Sequence, residues 1–278
     1  MDTVDTVDVV VVGSGAGLVG AFAAAARGLR TVVVERSEQL GGPPGASDGT
    51  LWLPGADGSG FDGAAGEDVP VPLRDAWART APQLIEELQE THWFPSFQDR
   101  AGPASGGRTV AGPDLLWAAL GNLVALIRPP LDSEGWGTGI APVMRGEQAF
   151  VGRMLLAYLE TGWGAVRVDT AVEALVVEPS GVRGVTTRGG ATIRAGRGVL
   201  LTEDPGFAAV GAGADQGTKG GLRTDERARV LRPDGTVVPG LYATGDAMAA
   251  GDDAERPDVR FGRAAAFAHL AILDLARS

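Results

Sequence analysis

The sequence predicts an α/β fold in which three layers are built around a mainly parallel sheet. Three observations at the start of the chain predict it. A run of β-branched residues occupies Asp8–Val12, a glycine-rich turn and an alanine-rich helix come next, and a second apolar run occupies Thr31–Glu35. Uninterrupted β-branched runs are typical of parallel strands that are buried on both faces. Strand, helix and strand in this order predict a βαβ unit.

The first half of the chain alternates helices with loops. The first helix is predicted at Leu18–Arg27, and Gly28 ends it. Loops are predicted where Gly, Pro, Ser and Asp cluster, at Gly41–Gly66 and Phe94–Pro113. Further helices are predicted at Leu73–Glu90, Asp114–Ile127 and Phe150–Leu159. The Leu73–Glu90 helix has one apolar face, formed by Trp77, Leu84, Ile85 and Leu88.

The second half of the chain is richer in strands. β-branched and alternating segments predict strands at Ala165–Glu178, Gly181–Thr187, Ala191–Ala195, Gly198–Thr202 and Val237–Tyr242, and a last helix is predicted at Phe261–Leu275. We expect Gly198–Thr202 and Val237–Tyr242 to join the βαβ unit in one parallel sheet. The strands between Ala165 and Ala195 are expected to form a smaller, substrate-side lobe together with Phe61–Phe150.

The length of 278 residues is compatible with one large α/β domain. We interpret residues 1–278 as a single domain. Residues 1–55 and 140–278 are expected to form its core, and residues 56–139 are expected to form a helical and loop insertion on the substrate side.

Composition excludes several classes of function. The formal net charge of −11 argues against nucleic acid and against an anionic membrane surface as partners. The chain has no cysteine, which excludes thiolate zinc sites and cysteine nucleophiles, and it has only two histidines, so no metal site is expected. His269 lies within the last helix and is expected to be structural. The acidic start and the short apolar stretches predict no secretory signal and no membrane span, so the expected location is cytoplasmic.

The turn after the first strand has the composition of a dinucleotide-binding loop. Gly13–Gly17 directs backbone N–H groups and the positive end of a helix at one point, which suits a pyrophosphate. Glu35 ends the second strand, where a carboxylate can bind ribose hydroxyls. The alternative, a glycine-rich turn in an unrelated α/β protein, leaves the position of Glu35 unexplained. Leu18 replaces the third glycine of the usual pattern, and Gly17 or Gly20 is expected to compensate.

Three segments of the chain resemble one known family. They are Val9–Gly42 with Leu51–Pro54, Arg145–Val151 with the strands Val166–Val185, and Thr218–Ala249. The last contains Gly-Leu-Tyr-Ala-Thr-Gly-Asp and is the most specific. In these segments the chain resembles the FAD-dependent family of 3-ketosteroid Δ1-dehydrogenases, fumarate reductases and the succinate dehydrogenase flavoprotein. The resemblance implies a Rossmann-like FAD-binding domain of the glutathione-reductase type, with FAD as the cofactor.

The turn and the resemblance together assign the residues expected to bind FAD. The pyrophosphate is expected at Gly13–Gly17 and a ribose at Glu35, while the family places the residues that correspond to Gly245 and Asp246 against the ribityl chain and the phosphates. Asp246 can alternatively serve as a helix N-cap. The complete set of expected cofactor residues is Gly13, Ser14, Gly15, Ala16, Gly17, Glu35, Arg36, Gly41, Gly42, Ser47, Asp48, Val172, Thr202, Gly245, Asp246, Phe261 and Gly262.

The chain departs from the family at positions that matter for catalysis. Family members insert a cap domain after the strand that corresponds to Gly198–Thr202, whereas here only Phe207–Gly217 bridges the gap, so the cap is expected to be absent. The family's Ala-Thr-Gly-Gly after that strand reads Thr202–Gly206. Pro44 stands near the position where covalent members carry histidine, so the FAD is expected to be non-covalent.

Three residues are candidates for the chemistry beside the flavin. Arg256 stands where the family has its catalytic tyrosine, and it is either an electrophile or anion anchor or a surface arginine. His92 lies where the family builds its pocket, and the alternative is a helix-capping or exposed histidine. Trp136 either lines an apolar pocket or anchors a loop. The only tyrosines, Tyr158 and Tyr242, are both expected inside regular elements.

Three functions remain open at this point. The first is an oxidoreductase acting on an apolar, carbonyl-bearing small molecule of secondary metabolism. The second is a cyclase or isomerase in which FAD is structural, and the third is a non-catalytic flavin-binding subunit that needs a partner chain. Loss of the cap and of the tyrosine predicts inefficient Δ1-dehydrogenation of ketosteroids. The uncovered flavin face predicts a homodimer through the Leu73–Ile127 helices.

Overall fold

The structure is a computed structural model of the chain, and it describes residues 5–37, 40–41, 50–54, 61, 69–91, 98–101, 108–111, 147–203, 221–249 and 257–278. The strands are β1 (Asp5–Val12), β2 (Thr31–Val34), β3 (Thr50–Leu53), β4 (Gln98–Ala101), β5 (Arg108–Ala111), β6 (Gly164–Arg167), β7 (Val172–Glu178), β8 (Gly181–Thr187), β9 (Thr192–Leu201), β10 (Arg229–Leu231) and β11 (Val237–Ala243). The helices are α1 (Gly17–Ala26), α2 (Val71–Gln89), α3 (Glu147–Glu160) and α4 (Pro257–Leu275), and a 3₁₀ helix spans Gly245–Ala247.

Parallel strands form the centre of the main sheet, in the order β11–β9–β1–β2–β6. Val9 of β1 is paired with Thr31 of β2 on one side and with Gly198 of β9 on the other. β10 adds an antiparallel strand beside β11. The predicted parallel sheet, which joins the βαβ unit to Gly198–Thr202 and Val237–Tyr242, is therefore confirmed.

The strands between Ala165 and Ala195 belong to the main sheet, so the prediction that they form a smaller lobe is wrong. β6 pairs with β2 at the edge of the parallel strands. β7 and β8 form an antiparallel meander with the first half of β9. Gly184 permits this pairing, because a Cβ there would overlap the carbonyl oxygen of Ile193. An alternating pattern predicts a strand but not the sheet that the strand joins.

Two hydrophobic clusters lie on opposite faces of the parallel strands. Val9, Val11 and Val33 pack with the helices on one face. Val10, Val12, Val32 and Val34 pack on the other face with residues of the meander, which are Leu175, Val182 and Val185. Alternate residues of one strand point to opposite faces, so both faces of β1 are buried. Helices, parallel sheet and meander are the three layers, and the predicted α/β class is confirmed.

Short strands interrupt both segments that the sequence predicts as loops. β3, β5 and β4 pair antiparallel in that order and form a separate small sheet. Trp52 and Leu53 of β3 are buried. Helix α4 lies so close that a Cβ at Gly262 would overlap the carbonyl oxygen of Trp52. Contact with a distant helix therefore selects this strand, and the prediction of uninterrupted loops at Gly41–Gly66 and Phe94–Pro113 is wrong. The predicted helix at Asp114–Ile127 lies outside the described residues.

Helix α1 packs closely on the sheet although the third glycine of its turn is missing. Leu18 is fully buried. A Cβ at Gly17 would lie 2.9 Å from Val11 Cγ1, and a Cβ at Gly20 would lie 2.8 Å from Leu200 Cδ2. Side-chain contacts of this length require the neighbour to move. Gly17 and Gly20 therefore provide the close approach, as expected from the sequence.

Helix α2 turns its apolar face into the core of its own chain. Of the predicted apolar face, Trp77, Leu84 and Leu88 are buried and Ile85 is partly buried, and Leu73 is buried beside them. They belong to the same cluster as the side chains of α1 and α4. This face is therefore buried within the chain itself. The homodimer predicted through the Leu73–Ile127 helices stays a prediction, because the helix at Asp114–Ile127 lies outside the described residues. Among the helices in the described ranges, none is long and apolar enough to cross a membrane.

Candidate functional site

The carboxyl ends of four parallel strands meet at one edge of the main sheet. β1 leads into the turn Gly13–Gly17, β2 into Glu35, β9 into Thr202 and β11 into Thr244. In open α/β sheets, ligands bind outside the carboxyl ends of the strands where the strand order reverses. That position is β1 here. The parallel strands β2 and β6 lie on one side of β1, and the later parallel strands β9 and β11 lie on the other side.

The turn Gly13–Gly17 packs closely against the sheet at Gly17 and is open at Gly15. Gly13 has a φ of +94°, which favours glycine. A Cβ at Gly17 would lie 3.0 Å from Thr202 Oγ1, whereas a Cβ at Gly15 would meet nothing within 4 Å. Within the described part of the chain, no side chain caps the start of α1. Leu18 N and Val19 N donate to Gly15 O and Ala16 O over 3.3 and 3.1 Å, so the N–H groups of Gly15, Ala16 and Gly17 are the ones expected to bind an anion, which the helix dipole also favours.

Glu35 is a buried carboxylate that holds this edge together. It is 1% exposed and accepts hydrogen bonds from two serines. Ser14 Oγ and Ser14 N donate to Oε2 over 2.6 and 3.2 Å. Ser37 Oγ and Ser37 N donate to Oε1 over 2.8 and 2.9 Å. The Ser14 hydroxyl also accepts a hydrogen bond from Gly41 N over 2.8 Å, so one serine links the turn, the end of β2 and the following segment.

Glu203 is the second carboxyl group at this edge, directly after β9. A Cβ at Gly13 would lie 2.5 Å from Glu203 Cγ, so this side chain lies against the turn. Burial raises the pKa of Glu203 to about 7, and the negative charge of Glu35 and a hydrogen bond to Glu35 act in the same direction. Arg36 opposes this change, with its Nε 3.4 Å from Glu203 Oε2. The two carboxyl groups thus share a site in which protonated Glu203 can donate to Glu35.

The end of β11 approaches the same edge through backbone contacts. Thr202 Oγ1 and Thr202 N both donate to Val12 O over 2.9 Å, which joins β9 to β1. Asp246 N donates to Thr202 O over 3.2 Å, and a Cβ at Gly245, whose φ is +57°, would lie 2.6 Å from Thr202 O. The Asp246 side chain is exposed, and its Oδ1 lies 3.7 Å from Arg260 Nη2. Gly245 therefore lets the 3₁₀ helix approach Thr202 at the end of β9.

The structure brings most of the expected cofactor residues to this edge. Asp169 N donates to Ser37 O over 3.0 Å and Thr170 N donates to Glu35 O over 2.8 Å, which places the start of β7, and so Val172, beside the end of β2. Arg36 reaches the edge through Glu203. Phe261 and Gly262 lie in α4, and the close contact of Gly262 is with β3. Six expected residues lie outside the described ranges: the cofactor candidates Gly42, Ser47 and Asp48 and the catalytic candidates His92, Trp136 and Arg256.

Sequence reasoning missed Glu203 and Ser37 as members of the site. Glu203 enters the sequence argument only as a departure from Ala-Thr-Gly-Gly. Its position directly after a buried parallel strand was the available signal, because the carboxyl ends of parallel strands share one edge. Ser37 carries no such signal, since its role depends on the local path of the chain after β2.

Both tyrosines have structural roles, as their positions inside regular elements predict. Tyr158 OH lies in α3, donates to Thr31 O over 2.7 Å and accepts from Ala165 N over 3.0 Å. Tyr242 OH donates to Asp274 Oδ2 over 2.9 Å. Burial raises the pKa of both phenols. His269 is 1% exposed with Nδ1 3.3 Å from Glu87, and burial lowers its pKa, which fits the structural role expected for it.

The donors and acceptors at this edge fit an FAD molecule. The N–H groups of Gly15, Ala16 and Gly17, with open space beside Gly15, suit the diphosphate. Glu35, whose two oxygens accept from Ser14 and Ser37, lies directly after β2, where dinucleotide-binding folds place a ribose. The sequence profile of the family described as FAD binding domain matches residues 8–210 and 204–256. The chain belongs to this FAD-binding family. Membership confirms the predicted resemblance and FAD as the cofactor, while non-covalent attachment and the individual site residues stay predictions.

The chain is also similar to a curated protein and, in its fold, to a solved structure. The chain is 29% identical over 229 residues to a 3-oxosteroid 1-dehydrogenase of Rhodococcus opacus, a match that covers 72% of this chain and 44% of that protein. The chain therefore spans less than half the length of this curated relative. The 3-ketosteroid Δ1-dehydrogenase of Sterolibacterium denitrificans, solved with 1,4-androstadiene-3,17-dione, has the same fold with a TM-score of 0.72, 16% identity and coverage of 98% of this chain and 100% of that chain.

A fumarate reductase shares the fold as well. The open conformation of a flavocytochrome c3 fumarate reductase superposes with a TM-score of 0.67 and 12% identity, covering 98% of this chain and 78% of that chain. At this level of identity the likeness concerns the fold alone. The predicted absence of the cap domain is consistent with the partial coverage of the curated relative and stays a prediction.

Proposed function

We propose that this member of the FAD-binding family is an FAD-dependent oxidoreductase that acts on an apolar small molecule carrying a carbonyl group. The observation that carries the proposal is the convergence of the turn Gly13–Gly17, Glu35 and Gly245–Asp246 at one sheet edge. The similarity to a 3-oxosteroid 1-dehydrogenase supports a ketone of this kind. A secondary metabolite fits this substrate class.

The described residues are proposed to bind FAD. The N–H groups at the start of α1 hold the diphosphate, Glu35 accepts from ribose hydroxyls, and Asp246 accepts from the ribityl chain. When bound, FAD supplies a two-electron acceptor for a hydride from the carbon β to the carbonyl group. Ser14 and Ser37 keep the Glu35 carboxylate in one orientation, because each donates through its hydroxyl and its backbone N–H.

The substrate side is assigned to residues beyond the described ranges. Dehydrogenation beside a carbonyl needs a base for the α proton and an electrophile for the carbonyl oxygen. We propose Arg256 as the electrophile or anion anchor, and His92 and Trp136 as residues of the pocket.

A non-redox function with structural FAD is the second candidate, and one observation favours it. Tyr158 and Tyr242 are both engaged in structural hydrogen bonds, so neither supplies the acid or base that family dehydrogenation uses. Removing an oriented acid or base lowers a rate by about 10²–10⁴-fold. We therefore expect inefficient Δ1-dehydrogenation of ketosteroids by this chain. A flavin-binding subunit that a partner chain completes is the third possibility.

Anaerobic reduction of the bound flavin separates these candidates. The holoprotein is mixed with apolar ketones, including a 3-ketosteroid, and the visible flavin absorbance is followed without oxygen. Stoichiometric loss of the oxidised spectrum together with one desaturated product per flavin supports the oxidoreductase. Product formation with an unchanged flavin spectrum supports the cyclase or isomerase and contradicts the redox proposal.

The variant Glu35→Ala tests the cofactor site that the proposal requires. It removes charge-assisted hydrogen bonds worth about 1.5–3 kcal/mol each, so FAD occupancy should fall at least tenfold. Glu173→Ala is the matched control, because Glu173 is an exposed glutamate on β7. Equal FAD occupancy in Glu35→Ala and wild type would contradict the assignment of Glu35.

A further inference from the structure

We propose that Glu203 makes FAD binding dependent on pH: the cofactor binds to the form in which Glu203 is protonated, and the ionised carboxylate opposes the diphosphate. This inference rests on FAD binding at the turn Gly13–Gly17, and it does not depend on whether the flavin takes part in redox chemistry. It concerns a residue that the sequence argument does not count among the cofactor ligands.

The Glu203 side chain lies against the turn Gly13–Gly17. A Cβ at Gly13 would lie 2.5 Å from Glu203 Cγ and 2.9 Å from Glu203 Cδ, so the carboxyl group itself lies against the turn. The turn leads directly into α1, and the N–H groups of Gly15, Ala16 and Gly17 at this junction are the expected diphosphate site. The Glu203 side chain is 22% exposed and therefore only partly screened by water. A negative charge on Glu203 would therefore repel the diphosphate that we expect to bind at the turn.

Two carboxylates and one arginine surround Glu203. Glu35 at the end of β2 and Asp246 on the 3₁₀ helix both face it with negative charge, and Arg36 faces it with positive charge. Arg36 Nε is 3.4 Å from Glu203 Oε2, but the Arg36 side chain is 67% exposed. Asp246 is partly compensated by Arg260 of α4 at 3.7 Å. The bound diphosphate adds negative charge to this set, which favours the protonated carboxyl group.

The carboxyl groups of Glu203 and Glu35 can share a hydrogen bond when Glu203 is protonated. Protonated Glu203 can donate to Glu35, and this arrangement places no additional charge beside the turn. Burial raises the pKa of Glu203 to about 7, and the charge of Glu35 and this hydrogen bond contribute in the same direction. The protonation state therefore changes near neutral pH. FAD binding should be accompanied by proton uptake above this pH and should be insensitive to pH below it.

Titrations of the apoprotein with FAD test the proposal. Dissociation constants are measured by flavin fluorescence between pH 6 and pH 9 for wild type, Glu203→Gln and Glu203→Gly. For wild type we expect the dissociation constant to rise toward about tenfold per pH unit above pH 7, which is the slope for one linked proton. Both variants lack the titrating group and should vary less than about twofold over the same range. Glu203→Gln keeps the shape and donates to Glu35 without titrating, whereas Glu203→Gly removes the side chain.

The matched control and a second measurement make the outcome decisive. Glu173→Gln removes an exposed carboxylate from β7 and should keep the wild-type slope. Calorimetry at pH 8 in two buffers of different ionisation enthalpy should give about one proton taken up per FAD for wild type and none for Glu203→Gln. A flat wild-type profile, or the wild-type slope in both Glu203 variants, overturns the inference while leaving FAD binding intact. Absence of FAD binding at every pH overturns the FAD site itself.

Discussion

The variant Glu203→Gln gives a direct test of the carboxyl pair in the protein without cofactor. Glutamine has the shape of a protonated glutamic acid, carries no charge at any pH, and can donate to Glu35. In wild type, burial and the neighbouring charge of Glu35 raise the pKa of Glu203 from 4.5 to about 7. The unfolded chain, in which Glu203 is solvated, therefore loses its proton at a lower pH than the folded chain.

The sign and size of the effect follow from this difference in pKa. A carboxyl group whose pKa is raised by folding makes the protein less stable as the pH rises from the unfolded value toward the folded value. Between pH 5 and pH 8 the free energy of unfolding of wild type should fall by about 2.5 kcal/mol relative to Glu203→Gln. For a chain of this size that difference corresponds to about 5 °C in melting temperature.

Thermal and urea unfolding of the two apoproteins at pH 5, 6, 7 and 8 provide the measurement. The two melting temperatures should be closest at pH 5 and should diverge progressively up to pH 8, with Glu203→Gln the more stable protein. Glu173→Gln, which removes an exposed carboxylate, should follow wild type at every pH. A constant difference between Glu203→Gln and wild type across this range, or a variant that becomes less stable than wild type at pH 8, would refute the reasoning.

Three further variants test the packing that supports the site. Ser14→Ala removes the 2.6 Å hydrogen bond from the Ser14 hydroxyl to Glu35 and should lower the free energy of unfolding by about 2–3 kcal/mol, as measured by urea denaturation; a change below the error of the fit would contradict it. Tyr158→Phe leaves buried backbone groups of β2 and β6 without the phenol and should lower the free energy of unfolding by about 1–3 kcal/mol in the same assay; wild-type stability would contradict a structural role of the phenol. Gly20→Val places carbon against Leu200 and should lower the melting temperature, whereas a variant as stable as wild type would show that α1 can move away from the sheet.

The parallel core could be predicted because its signals are local. The β-branched runs at Asp8–Val12 and Thr31–Glu35, and the glycine turn between them, specify a buried βαβ unit without reference to the rest of the chain. Glu35 follows from the same unit, because it comes directly after the second strand. The structure adds the serine side chains that hold it.

The small sheet could not be predicted because its stability comes from a distant helix. β3 lies in a segment rich in glycine and proline, and its burial depends on α4 and on the absence of a side chain at Gly262. Interactions between elements so far apart in the chain override local preference. The prediction that β7 and β8 form a separate lobe was wrong for a related reason. Gly184 allows β8 to approach β9 closely, and this contact cannot be inferred from the local sequence of β7 and β8.

The same limitation explains why Glu203 was missed. Its partners Gly13, Glu35 and Arg36 come directly after β1 and β2, and Glu203 joins them only because β9 pairs with β1. The resemblance to a family directs attention to shared residues, whereas Glu203 is a departure from the shared pattern. A carboxylate directly after a buried parallel strand is the feature to look for in similar sequences.

The most direct test of the central claim is an FAD titration of wild type and Gly15→Ala, with absorbance and calorimetry as readouts. A Cβ at Gly15 meets nothing within 4 Å, so alanine should leave thermal unfolding unchanged while it obstructs the approach of the diphosphate to the turn. The predicted result is one FAD per wild-type chain and at least tenfold weaker binding by an equally stable Gly15→Ala. A colourless wild-type protein that ignores added FAD, or equal affinity of the two proteins, would contradict the assignment of this turn as the cofactor site.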